Sequence, residues 1–269
     1  MKPDKIRRII GGKIKELKKL GKKVDGNFEK DALHEFRVAV KSLRSFLRLL
    51  RMSQKEDVPK MPGKFKRLYH ITGAIRDAQL ELDHLAAGSA PLPVYNDKLS
   101  NDINRQKAEW SKHYSDKVFR KMKKRLAGYE YDTLSPDALA AFHNMKITGV
   151  KKLGKPGTAT NSQVHSIRKH VKDILYTTKL AQKTWKPALK QMPAVPVSEL
   201  EDIATMIGDY NDERVQFEHL SSFYSPRTEP AELKAIKKIC KKEDTKLAAN
   251  KKQILDAVNK FGRRSKTAS

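Results

Sequence analysis

The 269-residue sequence holds a single cysteine, Cys240, which excludes an internal disulfide framework and fits a reducing compartment. No apolar run approaches the ~18 residues that a membrane-spanning helix needs, so no membrane association is expected. Aromatic residues are sparse at 7%, and a surface that stacks bases on interleaved rings is disfavoured. Runs of β-branched residues with period-two alternation, the main signature of strands, are hard to find. The eight histidines form no HExxH or similar close pair, and Cys240 has no second cysteine, so neither a metal nor another cofactor is expected. Acid is scarce as well: 31 Asp and Glu stand against 57 Lys and Arg, a formal net charge of +26. Such an excess works against the compact state by self-repulsion and points to a polyanionic partner.

What is present is helical periodicity. Hydrophobic residues make up 38% of the chain, enough for bundles in which each helix buries one stripe. The N-terminal MKPDKIRRIIGGKIKELKKL lacks the long apolar region and small-residue cleavage site of a secretory signal, so a first helix over residues 4–23, stopped by Gly21, and a cytoplasmic location are expected. Further helices are predicted at about 29–53, 64–87 and 95–128, with turns at VPKMPG (58–63) and at Gly88 to Pro93. Ser135 followed by Pro136 caps a helix to about 152. GKPGTAT (154–160) reads as a linker, since it lacks the GK[ST] ending and preceding strand of a phosphate loop. Helices at about 161–184, 198–222 and 230–261 and a frayed tail, GRRSKTAS, complete an all-α chain.

Within it, LHEFRVAVKSLRSFLRLLR (33–51) is the stretch that asks for a function. On a helix Phe36, Val40, Leu43, Leu47 and Leu50 share one side. Arg37, Lys41, Arg44, Arg48 and Arg51 fall on an adjacent stripe within roughly 80° of arc, with His34 at its edge. Like charges so spaced repel by ~0.2–0.5 kcal/mol per pair. The pattern then recurs in VHSIRKHVKDILYTTKLAQ (164–182): His34 matches His165, Arg37 matches Arg168, Lys41 matches Lys172 and Arg48 matches Lys179. After a four-residue slip Gly73, Asp77, His84 and Leu85 pair with Gly208, Asp212, His219 and Leu220. Ordered recurrence of this kind reads as an internal duplication. It divides the chain into an N-terminal four-helix bundle, residues 1–131, and a C-terminal one, residues 132–269.

The stripes combine cations with aliphatic backing and little that could read a base, so a linear or clustered phosphate ligand is favoured. Binding to a nucleic-acid backbone stays open. His34 or His165 near Asp77 or Asp212 could act as a general base in a phosphohydrolase. No nucleophile or carboxylate pair stands out, however, and Asp77 and Asp212 read better as orienting partners for arginine or histidine. No catalytic residue is assigned. Gly73 and Gly208 are expected to permit close helix approach.

HEFRVAVKSLRSFLRLL, IRD (75–77), HSIRKHVKDILYTTKL and IGDYND (207–212) together resemble, in the same order, the landmarks of the CHAD family, the conserved histidine α-helical domains. The resemblance implies that the two bundles form one domain about a pseudo-two-fold axis, with basic helices facing a central groove or pore. It implies inorganic polyphosphate as partner, no reaction by the domain itself, and association with polyphosphate granules. The ligand contacts it implies are His34, Arg37, Lys41, Arg44, His165, Arg168 and Lys172. Arg48, Arg51 and Lys179 extend the stripes, and Arg76 lies in the second landmark. One departure is that Leu175 stands before Tyr176, where the family often has arginine, which would thin the second half's contribution.

Overall fold

A computed structural model describes residues 1–55, 57–87, 91–154, 159–193, 195–223 and 225–264, and among these the chain is helical with no strand. The helices are α1 (Pro3–Asn27), α2 (Lys30–Ser53), α3 (Gly63–Ala86), α4 (Pro93–His113), α5 (Asp116–Ala127), α6 (Pro136–Leu153), α7 (Asn161–Thr184), α8 (Val197–Ser221) and α9 (Pro230–Arg264). A short 3₁₀ segment, Lys186–Gln191, follows α7. Residues 155–158 of the expected linker, 88–90 of the expected break and 265–269 of the expected frayed tail lie outside the described residues.

Apolar positions three and four apart explain which face each helix buries. Ile6, Ile10, Ile14, Leu17 and Val24 do so on α1, and Phe36, Val40, Leu43, Leu47 and Leu50 on α2. Gly21 does not stop α1. It is buried where α1 meets α5, and a Cβ there would come within 3.1 Å of both the Phe119 and Tyr114 rings. The glycine gives both rings room for that approach. The helix ends instead at Phe28, whose φ of 54° is left-handed, a conformation more often given to glycine. Its ring packs edge-on to Trp110 at 6.2 Å.

The expected helix over 95–128 is two helices. Tyr114 and Ser115 are extended between them, and the reason is that the two parts have different partners. α4 packs on α3, whereas α5 folds back on α1. Ser135 caps α6 as expected, accepting from the Ala138 N–H at 3.1 Å. Thr160 and Gln163 form a reciprocal capping box at the start of α7.

Two hydrophobic cores result. The first is centred on Phe36, Phe65, Trp110 and Phe119 and takes Leu139 and Phe142 from α6. The second, built from α7, α8 and α9, takes Ile147 and Val150 from the same helix. α2 packs across α7, and α3 lies against α8. The two stripe-bearing helices and the two helices carrying the glycine–aspartate motif therefore meet in the middle of the molecule.

Candidate functional site

The meeting of α2, α3, α7 and α8 gathers most of the expected residues. Arg37 on α2 donates from Nη1 to the Tyr69 carbonyl at 3.2 Å, and its guanidinium lies 4.9 Å over the Tyr69 ring. Gly73 makes room for it, since a Cβ there would collide with the Arg37 guanidinium. What Gly73 admits is thus a side chain of α2 and not a helix backbone; Gly208 faces open space. The Nε atoms of Arg37 and of Arg168, its counterpart on α7, are both buried and lack a hydrogen-bond partner.

Lys41 and Lys172 face each other's neighbourhood across the seam. Burial, followed by the charges of Arg168, Arg37 and Lys172, pushes the Lys41 ammonium down to about 7, against a weaker pull from Asp212. Burial and Arg168 likewise bring Lys172 down to about 8, with Asp212 and Asp209 opposing. His34 is lowered by burial and then by Arg76, Lys41 and Lys172. His165 is lowered by burial, Lys169 and Arg168, while a hydrogen bond with Asn211 works the other way. Among the described residues Arg37, Lys41, Arg44, Arg168 and Lys172 form no ion pair. Positive charge is concentrated here, and the nearby Asp77, Asp209 and Asp212 offset it only in part.

The other expected residues are placed differently. Arg76 pairs with Asp212 across α3 and α8 at 3.5 Å, the orienting arrangement expected of that aspartate. Asp77 forms no ion pair among the described residues; burial pushes its carboxyl up, against the charge of Arg37. Arg48 turns into the α2–α7 contact, where its Nε lies 2.9 Å from both carboxylate oxygens of Asp173. Asp173 is 1% exposed and also accepts from Ser45 Oγ at 2.8 Å and pairs with Lys146 at 3.1 Å. Arg51 donates to the Val58 and Pro59 carbonyls at 3.2 and 3.0 Å. Lys179 is exposed and pairs with Glu201, while Arg44 is exposed with its guanidinium 5.5 Å over Tyr69. Leu175 is buried in the second core. The paired histidines take glutamates, His84 with Glu243 at 3.7 Å and His219 with Glu81 at 3.2 Å.

Tyr69, Asp173 and Lys146 escaped the sequence reading. Asp173 carried a signal, being a lone acid in the second stripe segment at the position where the first has Ser42. Tyr69 and Lys146 sit on other helices, and nothing in their own segments marks them.

The fold and seam together define an all-helical protein with a cluster of cations gathered between two helix pairs. The chain belongs to the CHAD domain family, whose model matches residues 8–221. A crystal structure of the CHAD domain from the plant Ricinus communis resembles it with a TM-score of 0.72 at 15% identity, covering 98% of this chain and 92% of that one. No curated protein matches the chain. No described helix is long and apolar enough to cross a membrane.

Proposed function

We propose that this protein binds inorganic polyphosphate along the seam between α2 and α7 and carries out no reaction on it. The observation that carries the proposal is the pair of lysines, Lys41 and Lys172, held at about 7 and 8 by burial and by neighbouring arginines, with no ion pair among the described residues to relieve them. Charged groups gathered in this way lower the stability of the empty protein, and a chain of phosphates relieves the repulsion. Arginine forks at Arg37 and Arg168 can each engage two oxygens, while lysine acts as a compact point charge. Arg44, His34 and His165 extend the contact toward solvent. Arg76 is held by Asp212 in position to contribute from α3. Arg48, Arg51 and Lys179, engaged with protein partners, shape the seam more than they contact the ligand. The protein would act in the cytoplasm, on granules where the polymer is concentrated.

The test is competition. Long-chain polyphosphate and single- or double-stranded nucleic acid are titrated against the purified protein at matched phosphate concentration. Preference for polyphosphate is expected, and equal affinity would remove the choice of ligand. Chain length and free phosphate are followed during incubation with divalent metal. Release of phosphate that His34→Ala abolishes without loss of binding would convert the protein into a phosphohydrolase.

A further inference from the structure

The cations of the seam are not the only ones left without partners. α1 and α5 pack side by side, with the Phe119 and Tyr114 rings set against Gly21. On its outer side α1 exposes Arg8, Lys15, Lys19 and Lys22, within about 60° of arc. α5 exposes Lys117, Arg120 and Lys124 within about the same arc. Lys22 and Arg120 both act on the Asp116 carboxyl, which puts the two rows on one surface. None of these side chains forms an ion pair or hydrogen bond among the described residues. The carboxylates of the two helices are meanwhile all occupied: Asp4 with Arg7, Asp116 with Lys18, Asp25 with Trp110 Nε1, and Glu16 beside Lys13 in the cleft toward α2 and α7. A solvated basic face scatters acids among its cations; this one does not.

The surface lies apart from the seam. The main charges acting on Lys41, Lys172, His34 and His165 come from α2, α3, α7 and α8, and none from α1 or α5. It also holds two adjacent glycines in the middle of α1, Gly11 and Gly12, with nothing beyond the helix itself within 4 Å of the place a Cβ would take. Glycine weakens a helix, and no internal packing requires it here. It leaves the helix backbone bare beside Arg8 and Lys15, where a phosphate backbone can lie close. Among the described residues the exposed large hydrophobic side chains are Met52 and Met145, both on other helices. The surface therefore has no exposed ring to stack an unpaired base and no apolar wedge to enter a lipid bilayer. Packed helices lie ~8–10 Å apart, so a single phosphate chain follows one row of cations, whereas a duplex can set a backbone against each. We infer that the outer face of α1 and α5 is a docking surface for double-stranded nucleic acid, gripped by its phosphates without regard to sequence. The inference does not rest on polyphosphate binding at the seam.

A labelled mixed-sequence DNA duplex is titrated against the full-length protein by fluorescence anisotropy at about 50 and about 200 mM salt. One variant combines Lys15→Ala, Lys22→Ala, Arg120→Ala and Lys124→Ala. A second combines Lys237→Ala, Lys238→Ala, Lys241→Ala and Lys242→Ala, exposed on α9, and removes the same charge. Each lost phosphate contact lowers the salt slope by about 0.9. The α1–α5 variant should therefore flatten it by about 3–4 and weaken binding at the lower salt by about tenfold or more. The α9 variant should cost less than about threefold and Lys172→Ala no more than about twofold. Absence of duplex binding at the lower salt, or equal losses from the two quartets, would overturn the inference. So would phosphatidylserine vesicles bound more tightly than the duplex at matched charge and released by the same α1–α5 variant. Long-chain polyphosphate should respond to Lys172→Ala and little to the α1–α5 variant, which tests the seam separately. If it instead loses as much as the duplex on the α1–α5 variant, the face does not select a duplex and the inference fails.

Discussion

Lys41 is one of the groups that link the stability of the protein to pH. At pH 6 its side chain is protonated in both the folded and unfolded chain, so the folded state bears the whole cost of burying that charge and of its repulsion by Arg168, Arg37 and Lys172. Above about 7 folded Lys41 releases its proton, while an unfolded lysine keeps it up to ~10.4. The unfolded chain then binds more protons, and stability of the ligand-free protein rises with pH across that window. A polyanion works in the opposite sense by holding the proton on Lys41 and Lys172, so affinity should fall as pH rises through about 7 and 8. Lys41→Met is accordingly expected to raise Tm at pH 6, to lose most of that gain at pH 9, and to weaken polyphosphate by about tenfold or more. Thermal scans at the two pH values with a binding titration measure this; a lower Tm at pH 6 would mean that Lys41 is not under repulsion. At this scale the sequence was legible in position and poorly legible in bonding. Stripe spacing places Arg37, Lys41 and Arg44 correctly on one face of α2. It cannot show that Arg51 bends to the carbonyls of the following turn, because those acceptors depend on a path that no side chain encodes.

The two glycines of the repeated motif make contrasting predictions at the scale of helices. Gly73→Ala should leave the fold within about 1 kcal/mol, since better helix propensity offsets the shift of a flexible side chain. It displaces Arg37, so polyphosphate affinity should drop. Gly208→Ala, with open space around it, should stabilise α8 by up to about 1 kcal/mol and leave affinity unchanged. Denaturant titrations paired with binding isotherms separate these outcomes. Between α2 and α7, Asp173→Ala strands the Lys146 ammonium and the Arg48 guanidinium, and about 3–5 kcal/mol of stability should be lost in the same denaturation assay. A change under about 1 kcal/mol would show the cluster to be well solvated. Helix existence and type followed from periodicity almost everywhere. The misses have a common cause: Gly21 and the break at Tyr114–Ser115 serve packing of α1 on α5, a tertiary demand that local pattern does not carry.

Over the whole molecule, charge placement should matter more than charge number. Charge reversal at Arg44 and Lys172 is expected to weaken polyphosphate far more than the same change at Lys123 and Lys124, which are exposed on α5 away from the seam. With ~6–10 phosphate contacts, affinity should also fall by about 10³–10⁵ between 50 and 200 mM salt, by analogy with nucleic acid. Titration at the two salt concentrations checks both statements, and equal losses at both pairs of sites would mean that bulk charge holds the ligand. α6 lends Leu139 and Phe142 to one core and Ile147 and Val150 to the other, so neither core can melt without baring half of a shared helix. That helix joins the two cores alongside the direct α2–α7 and α3–α8 contacts, and the Asp173 cluster, which takes Lys146 from it, sits where α2, α6 and α7 meet. Substitutions on α6 are therefore expected to reach the spacing of α2 and α7 from outside the seam itself.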